Sequence, residues 1–182
     1  MSIAGDYYAD LRAALAAGPP AELDAAATLL HDAARAGGTI YTFGNGASAA
    51  LASHATTDLG KRLGVRVVSL VDNAALLTAY ANDENYECVF AEPLRRLLRD
   101  GDVALGISGS GTSPNVLAAL ELARREGARS ILLTGTMAGS EDADACYDVV
   151  VRAPVEPIEQ IEDLHVVFCH ILMRLLAERL GR

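Results

Sequence analysis

The chain has 182 residues, 51% of them hydrophobic, with 15 Lys and Arg against 24 Asp and Glu for a formal net charge of −9. That composition excludes a disordered chain, and the acidic balance excludes a general grip on nucleic acid, which needs clustered cations. A single phosphate remains possible, because backbone amides hold an anion even on an acidic protein. No apolar run approaches the ~18 residues of a spanning helix, and MSIAGDYYADLR at the N-terminus lacks the basic and apolar regions of a signal peptide. A cytoplasmic protein with no membrane partner is expected. The three cysteines, Cys88, Cys146 and Cys169, show no C-x-x-C spacing and read as small buried hydrophobes.

In chain order, residues 5–17 and 21–36 carry alanine-rich helical patterns on either side of GPP. TIYTF at 39–43 is β-branched and aromatic and predicts a strand. A helix is predicted over 48–63, a strand over 66–71, helices over 74–81 and 87–99, and a strand over 102–107. A helix over 114–126 and a strand over 130–135 follow, then a short helix over 142–147, a strand over 148–153 and a long closing helix over 157–181. Strands separated by helices predict a single α/β domain, with a parallel sheet flanked by helices on both faces. The first two helices precede the first strand and carry the stripes Tyr8, Leu11, Leu15 and Leu23, Leu29, Leu30. A sandwich over 37–182 does not require them, so an oligomer interface is expected over 1–36.

Two strand-to-helix turns are rich in Gly and Ser: FGNGAS at 43–48 and SGSGTSPNV at 108–116. Open α/β sheets bind ligands beyond the carboxyl ends of their strands. A helix N-terminus there favours an anion, glycine lets the backbone approach closely, and hydroxyls add donors without charge. Ser108, Ser110, Thr112 and Ser113 fit a phosphate cradle, with Thr112 or Ser113 as N-cap. Neither turn has the Lys of a P-loop or the full spacing of a dinucleotide fingerprint.

His54 and Asp58 are four residues apart, which places both on one face of a predicted helix. On the closing helix Glu162 and His170 lie about 80° apart around the axis and can converge, whereas His165 stands about 140° from His170. Imidazole with carboxylate is a metal-ligand set and equally an acid–base set. Spacing alone leaves both readings open.

These features together resemble a sugar isomerase (SIS) domain, and within that group the phosphoheptose isomerases. The resemblance rests on GNGAS at 44–48, H-x-x-x-D-L-x-x-R at 54–62, DNAALLTAYANDENYECVF at 72–90, GDVALGISGSGTSPNVLAALELAR at 101–124 and EDLHVVFCHIL at 162–172. It implies interconversion of sedoheptulose 7-phosphate and D-glycero-D-manno-heptose 7-phosphate through an enediol. Asn45, Gly46, Ser48, Arg62, Asp72, Ser108, Gly109, Ser110 and Ser113 would hold the sugar phosphate. Asp58 would be the base and His170 the acid. Zinc would be held by His54, Asp58, Glu162 and His170, and the assembly would be a homotetramer with the N-terminal helices at its centre.

The chain departs from the family pattern at several positions. Asp58 stands where the family has Glu, Glu162 where it has Gln, Leu51 where it has Asp, Gln160 where it has Arg, and Ala47 replaces a Gly of the first loop. The resemblance also includes a non-catalytic relative that binds the bacterial replication initiator and lacks the carboxylate at position 58. An ionisable acid at that position favours the enzyme.

Overall fold

Strands buried on both faces can satisfy their backbone groups only against one another, so the apolar segments of this chain pair into a sheet. The computed structural model describes residues 2–136 and 146–182. In it β1 (Ile40–Gly44), β2 (Val67–Ser69), β3 (Val103–Ser108), β4 (Arg129–Thr134) and β5 (Val149–Arg152) form one sheet. Its order is β2-β1-β3-β4-β5, and every pair is parallel. The predicted short helix over 142–147 lies outside the described residues except for its last two positions.

Seven α-helices lie among the described residues: α1 (Ile3–Ala16), α2 (Pro20–Ala36), α3 (Ala47–Thr57), α4 (Ala74–Asp83), α5 (Ala91–Leu97), α6 (Pro114–Arg125) and α7 (Ile158–Leu180). Alternation along the strands divides the core between two faces. Ile40, Leu105, Ile131 and Val151 pack with α2, α3 and α7 through Leu30, Leu51, Leu164 and Phe168. Tyr41, Phe43, Ala104 and Leu132 pack with α5 and α6 through Leu94, Val116 and Leu120. None of the described helices is long and apolar enough to cross a membrane.

Several expectations need correction. α2 belongs to the sandwich itself: Leu23, Ala26, Ala27, Leu30 and Ala33 are buried against the sheet and α7. Its apolar stripe is buried inside the chain, within the same core cluster as the sheet. On α1, by contrast, Ile3, Tyr8 and Leu15 remain exposed. The helix expected over 48–63 changes character at Asp58, where α3 gives way to a π-helical turn over Asp58–Arg62. Such turns recur at functional sites. The helix expected over 87–99 is split into a 3₁₀ turn at Tyr86–Cys88 and α5. The Asn85 side chain caps the turn by accepting from the Cys88 amide at 3.1 Å, and Pro93 sits in the first turn of α5, where its missing N–H costs nothing.

Sheet order locates the crevice. The chain leaves β1 for β2 on one side and returns through β3 on the other, so the order reverses between β1 and β3. Gly44 pairs with Ile107, so the two strands end at the same level. The two Gly- and Ser-rich turns therefore emerge side by side.

Candidate active site

The first turn leads from β1 into α3. Gly46 is the N-cap with φ +56°, a left-handed conformation that suits glycine. Gly44 is packed so tightly that a Cβ there would lie 2.8 Å from the Ser48 Cβ and 2.7 Å from the Ile107 carbonyl oxygen. The second turn leads from β3 into α6. Its hydroxyls bond one another: Ser108 donates to Ser113 at 3.0 Å, and Thr112 donates to Ser110 through its backbone at 3.2 Å and its hydroxyl at 3.1 Å. Ser113 is the N-cap by position, but its side chain makes no capping bond. It faces Ser108 instead, leaving the first amides of α6 free of a side-chain hydroxyl. A Cβ on Gly109 would meet Ile158 Cδ1 at 2.5 Å, so this turn lies directly on the start of α7.

Asn45 and Asn115 join the two turns. Asn45 Nδ2 donates to Asn115 Oδ1 and Asn115 Nδ2 donates to Asn45 Oδ1, each at 2.9 Å. The Tyr86 hydroxyl also donates to Asn45 Oδ1, at 3.1 Å. The Asn45 side chain is thus committed to the protein, and ligand contact at position 45 falls to the backbone and the remaining amide hydrogen. Sequence reasoning missed Asn115 and Tyr86. Both lie in quoted motifs, but nothing in a spacing of 70 residues announces a reciprocal amide pair.

α3 and α7 lie on the same face of the sheet, and this brings the histidines together. His54 Nε2 and His170 Nε2 are 2.9 Å apart, with the rings edge-on at 79°. One nitrogen must carry the hydrogen of this contact and the other the lone pair. Asp58, with its side chain only 11% exposed, turns Oδ2 toward both rings, 3.4 Å from His54 and 3.7 Å from His170. Its Oδ1 lies 3.4 Å from Arg62 Nε. His54, Asp58 and His170 offer three donor atoms within 4.8 Å of one another. Two imidazoles and a carboxylate are a donor set suited to a catalytic zinc with an open fourth position.

Glu162 does not join that group. Eight residues of helix rise by about 12 Å, and Glu162 instead lines a cavity of about 110 Å³ with Ser48, Leu51, Asp163, His165 and Val166. The cavity lies along α3 and α7 between the first turn and the histidine pair. His165 is fully buried, with no hydrogen-bond partner at either ring nitrogen. Burial pushes its pKa down from 6.5 to about 4, and the Thr134 backbone opposes this more weakly. Tyr7 of α1 donates to Asp163 at 2.6 Å, and that bond pushes the phenol up to about 12. Asp72 is exposed in the bend between β2 and α4, at the same edge of the sheet.

Residues 6–135 match the model of the SIS domain. The chain is 36% identical over 164 residues to the phosphoheptose isomerase of Geotalea daltonii, covering 87% of this chain and 84% of the relative. The chain belongs to the phosphoheptose isomerase family of SIS domains. A second member, from Maridesulfovibrio salexigens, is 37% identical over 154 residues, covering 80% of this chain and 74% of the relative. Among solved structures, the phosphoheptose isomerase from Neisseria gonorrhoeae superposes with a TM-score of 0.89 at 29% identity, covering 96% of this chain and 97% of that one. The two extra N-terminal helices, the parallel sheet and the closing helix are thus a family architecture.

Proposed function

We propose that this protein interconverts sedoheptulose 7-phosphate and D-glycero-D-manno-heptose 7-phosphate. The observation that carries the reading is Asp58, a buried carboxylate held between two imidazoles on helices that abut an anion-binding turn. The identity to named phosphoheptose isomerases over most of the chain supports the substrate.

The phosphate is remote from the reacting carbons and positions them. The hydroxyls of Ser108, Ser110 and Ser113, with the backbone of Gly46, Ser48 and Gly109, supply donors at the ends of β1 and β3. Asp58 takes the C1 proton of the ketose, and the electron pair forms the C1–C2 double bond of an enediol. His170 gives a proton to the C2 oxygen and recovers one from the O1 hydroxyl. Return of the proton from Asp58 to C2 completes the aldose. Arg62, 3.4 Å from Oδ1, holds the carboxylate from its other side. Zinc bound by His54, Asp58 and His170 would supply a Lewis acid for the substrate carbonyl. The exposed Ile3, Tyr8 and Leu15 of α1 support an assembly of several copies, a homotetramer by resemblance, and sedimentation of the purified protein measures it.

The deciding experiment is an NMR time course with sedoheptulose 7-phosphate, once with added zinc and once with chelator. Appearance of the aldose heptose phosphate is expected. Saturable binding without conversion under either condition would overturn the reading in favour of a non-catalytic sugar-phosphate-binding protein.

A further inference from the structure

We infer that Asn115 and Tyr86 are positioning residues: through Asn45 they clamp the two Gly- and Ser-rich turns into one anion cradle. The inference rests on the sugar-phosphate reading of those turns.

The two turns belong to different strands, and the β1–β3 ladder ends at the pair Gly44 and Ile107. What spans the gap is the reciprocal amide pair, two bonds of 2.9 Å. Its orientation is fixed from one side, because the Val116 amide donates to Asn115 Oδ1 at 3.0 Å. That makes the oxygen of Asn115 the acceptor and its amide nitrogen the donor toward Asn45. Asn115 is 2% exposed, at the start of α6 and two residues beyond Ser113. It is therefore rigid and already tied to the second turn. Asn45, between Gly44 and Gly46, belongs to a segment with little side-chain packing of its own. The pair transfers the rigidity of α6 to that segment.

Tyr86 adds a third tie. It is 52% exposed, and its hydroxyl donates to the same Asn45 oxygen. That oxygen then accepts two bonds and is saturated. Tyr86 lies in the short 3₁₀ turn following α4, a helix with no buried residue. The segment over 72–90 thereby reaches Asn45 through the Tyr86 hydroxyl, while its last residue, Phe90, packs its ring against Phe43 at 5.4 Å. A cradle whose halves are held before the ligand arrives loses less conformational freedom on binding.

The test is calorimetric titration with inorganic phosphate of wild type, Asn115→Leu, Tyr86→Phe and the double variant, with thermal melts alongside. Asn115→Leu removes both bridging bonds without adding charge and is expected to weaken phosphate about tenfold. Tyr86→Phe, at an exposed position that tolerates the change, is expected to weaken it about threefold. Because both act through Asn45, Tyr86→Phe should add nothing in the Asn115→Leu background. Should Asn115→Leu fail to fold, Tyr86→Phe still decides: wild-type affinity in that variant overturns the clamp. Additive losses, or falling melting temperatures with unchanged affinity, would reduce both residues to fold support and overturn it as well. A wild-type protein that binds no phosphate would sink the sugar-phosphate reading and the clamp with it, which separates the two failures.

Discussion

His165→Phe should flatten the acid side of the stability curve. The native ring is fully buried, with a pKa lowered from 6.5 to about 4. Between those values the unfolded chain binds a proton that the native protein refuses, so stability rises with pH through the window. The contribution is complete above about pH 6.5, lost progressively as the pH falls to about 4, and constant below that. At about 1.4 kcal/mol per pH unit, the loss is about 3 kcal/mol. For a chain of this size that corresponds to roughly 10 °C in Tm. Phenylalanine keeps a ring beside Phe168, whose centroid lies 6.2 Å away, and cannot titrate. Thermal melts of both proteins from pH 4 to 7 measure the difference directly, because the other histidines contribute equally to each. Parallel curves would refute the reasoning, since they would mean that the buried ring is hydrogen-bonded or hydrated enough to protonate in the native state.

Asp58→Asn keeps the shape of the side chain and removes the base. Turnover of sedoheptulose 7-phosphate should fall about 10³-fold, with phosphate affinity by calorimetry unchanged. Chelation should lower both turnover and Tm, and zinc at 100 times its Kd should restore about 2.7 kcal/mol of stability. Gly135→Ala should destabilise by about 1–3 kcal/mol in chemical denaturation. Its Cβ would sit 2.4 Å from Ile161 Cδ1 and 2.8 Å from the Gly109 carbonyl oxygen, and the backbone atom cannot move aside. Gly109→Ala, which meets only the tip of half-exposed Ile158, should cost about 0.5 kcal/mol.

The strands were legible because their residues are mostly apolar or β-branched, and each bound lies within one residue of its expected position except the end of β2, which comes two residues early. β2 is an edge strand whose ladder is three residues long. RVVSLV looks like a longer strand, but Leu70 and Val71 already turn toward α4. The His54–Asp58 pair was legible from helical spacing, since Asp58 opens the π-helical turn and the residues leading to it are still α-helical. That turn was not legible: a switch from i→i+4 to i→i+5 bonding leaves no trace in apolar periodicity over five residues. Glu162 stands outside the cluster of His54, Asp58 and His170 and lines the adjacent cavity, since an angle around the axis ignores the rise along it. The burial of α2 was missed because an apolar stripe does not say whether its partner lies in the same chain.

α7 follows every other described element in the chain, yet it supplies His170 to the cluster and Ile161, Leu164, Phe168 and Leu172 to the larger core. During synthesis, the face of the sheet that α2 and α3 share with α7 therefore stays only partly covered while β1 to β5 are already available to pair. The site cannot exist as a partial version that gains strength as the chain grows. Catalytic competence and closure of the main hydrophobic layer arrive with the same helix, so a nascent chain too short to fold is also too short to handle its substrate.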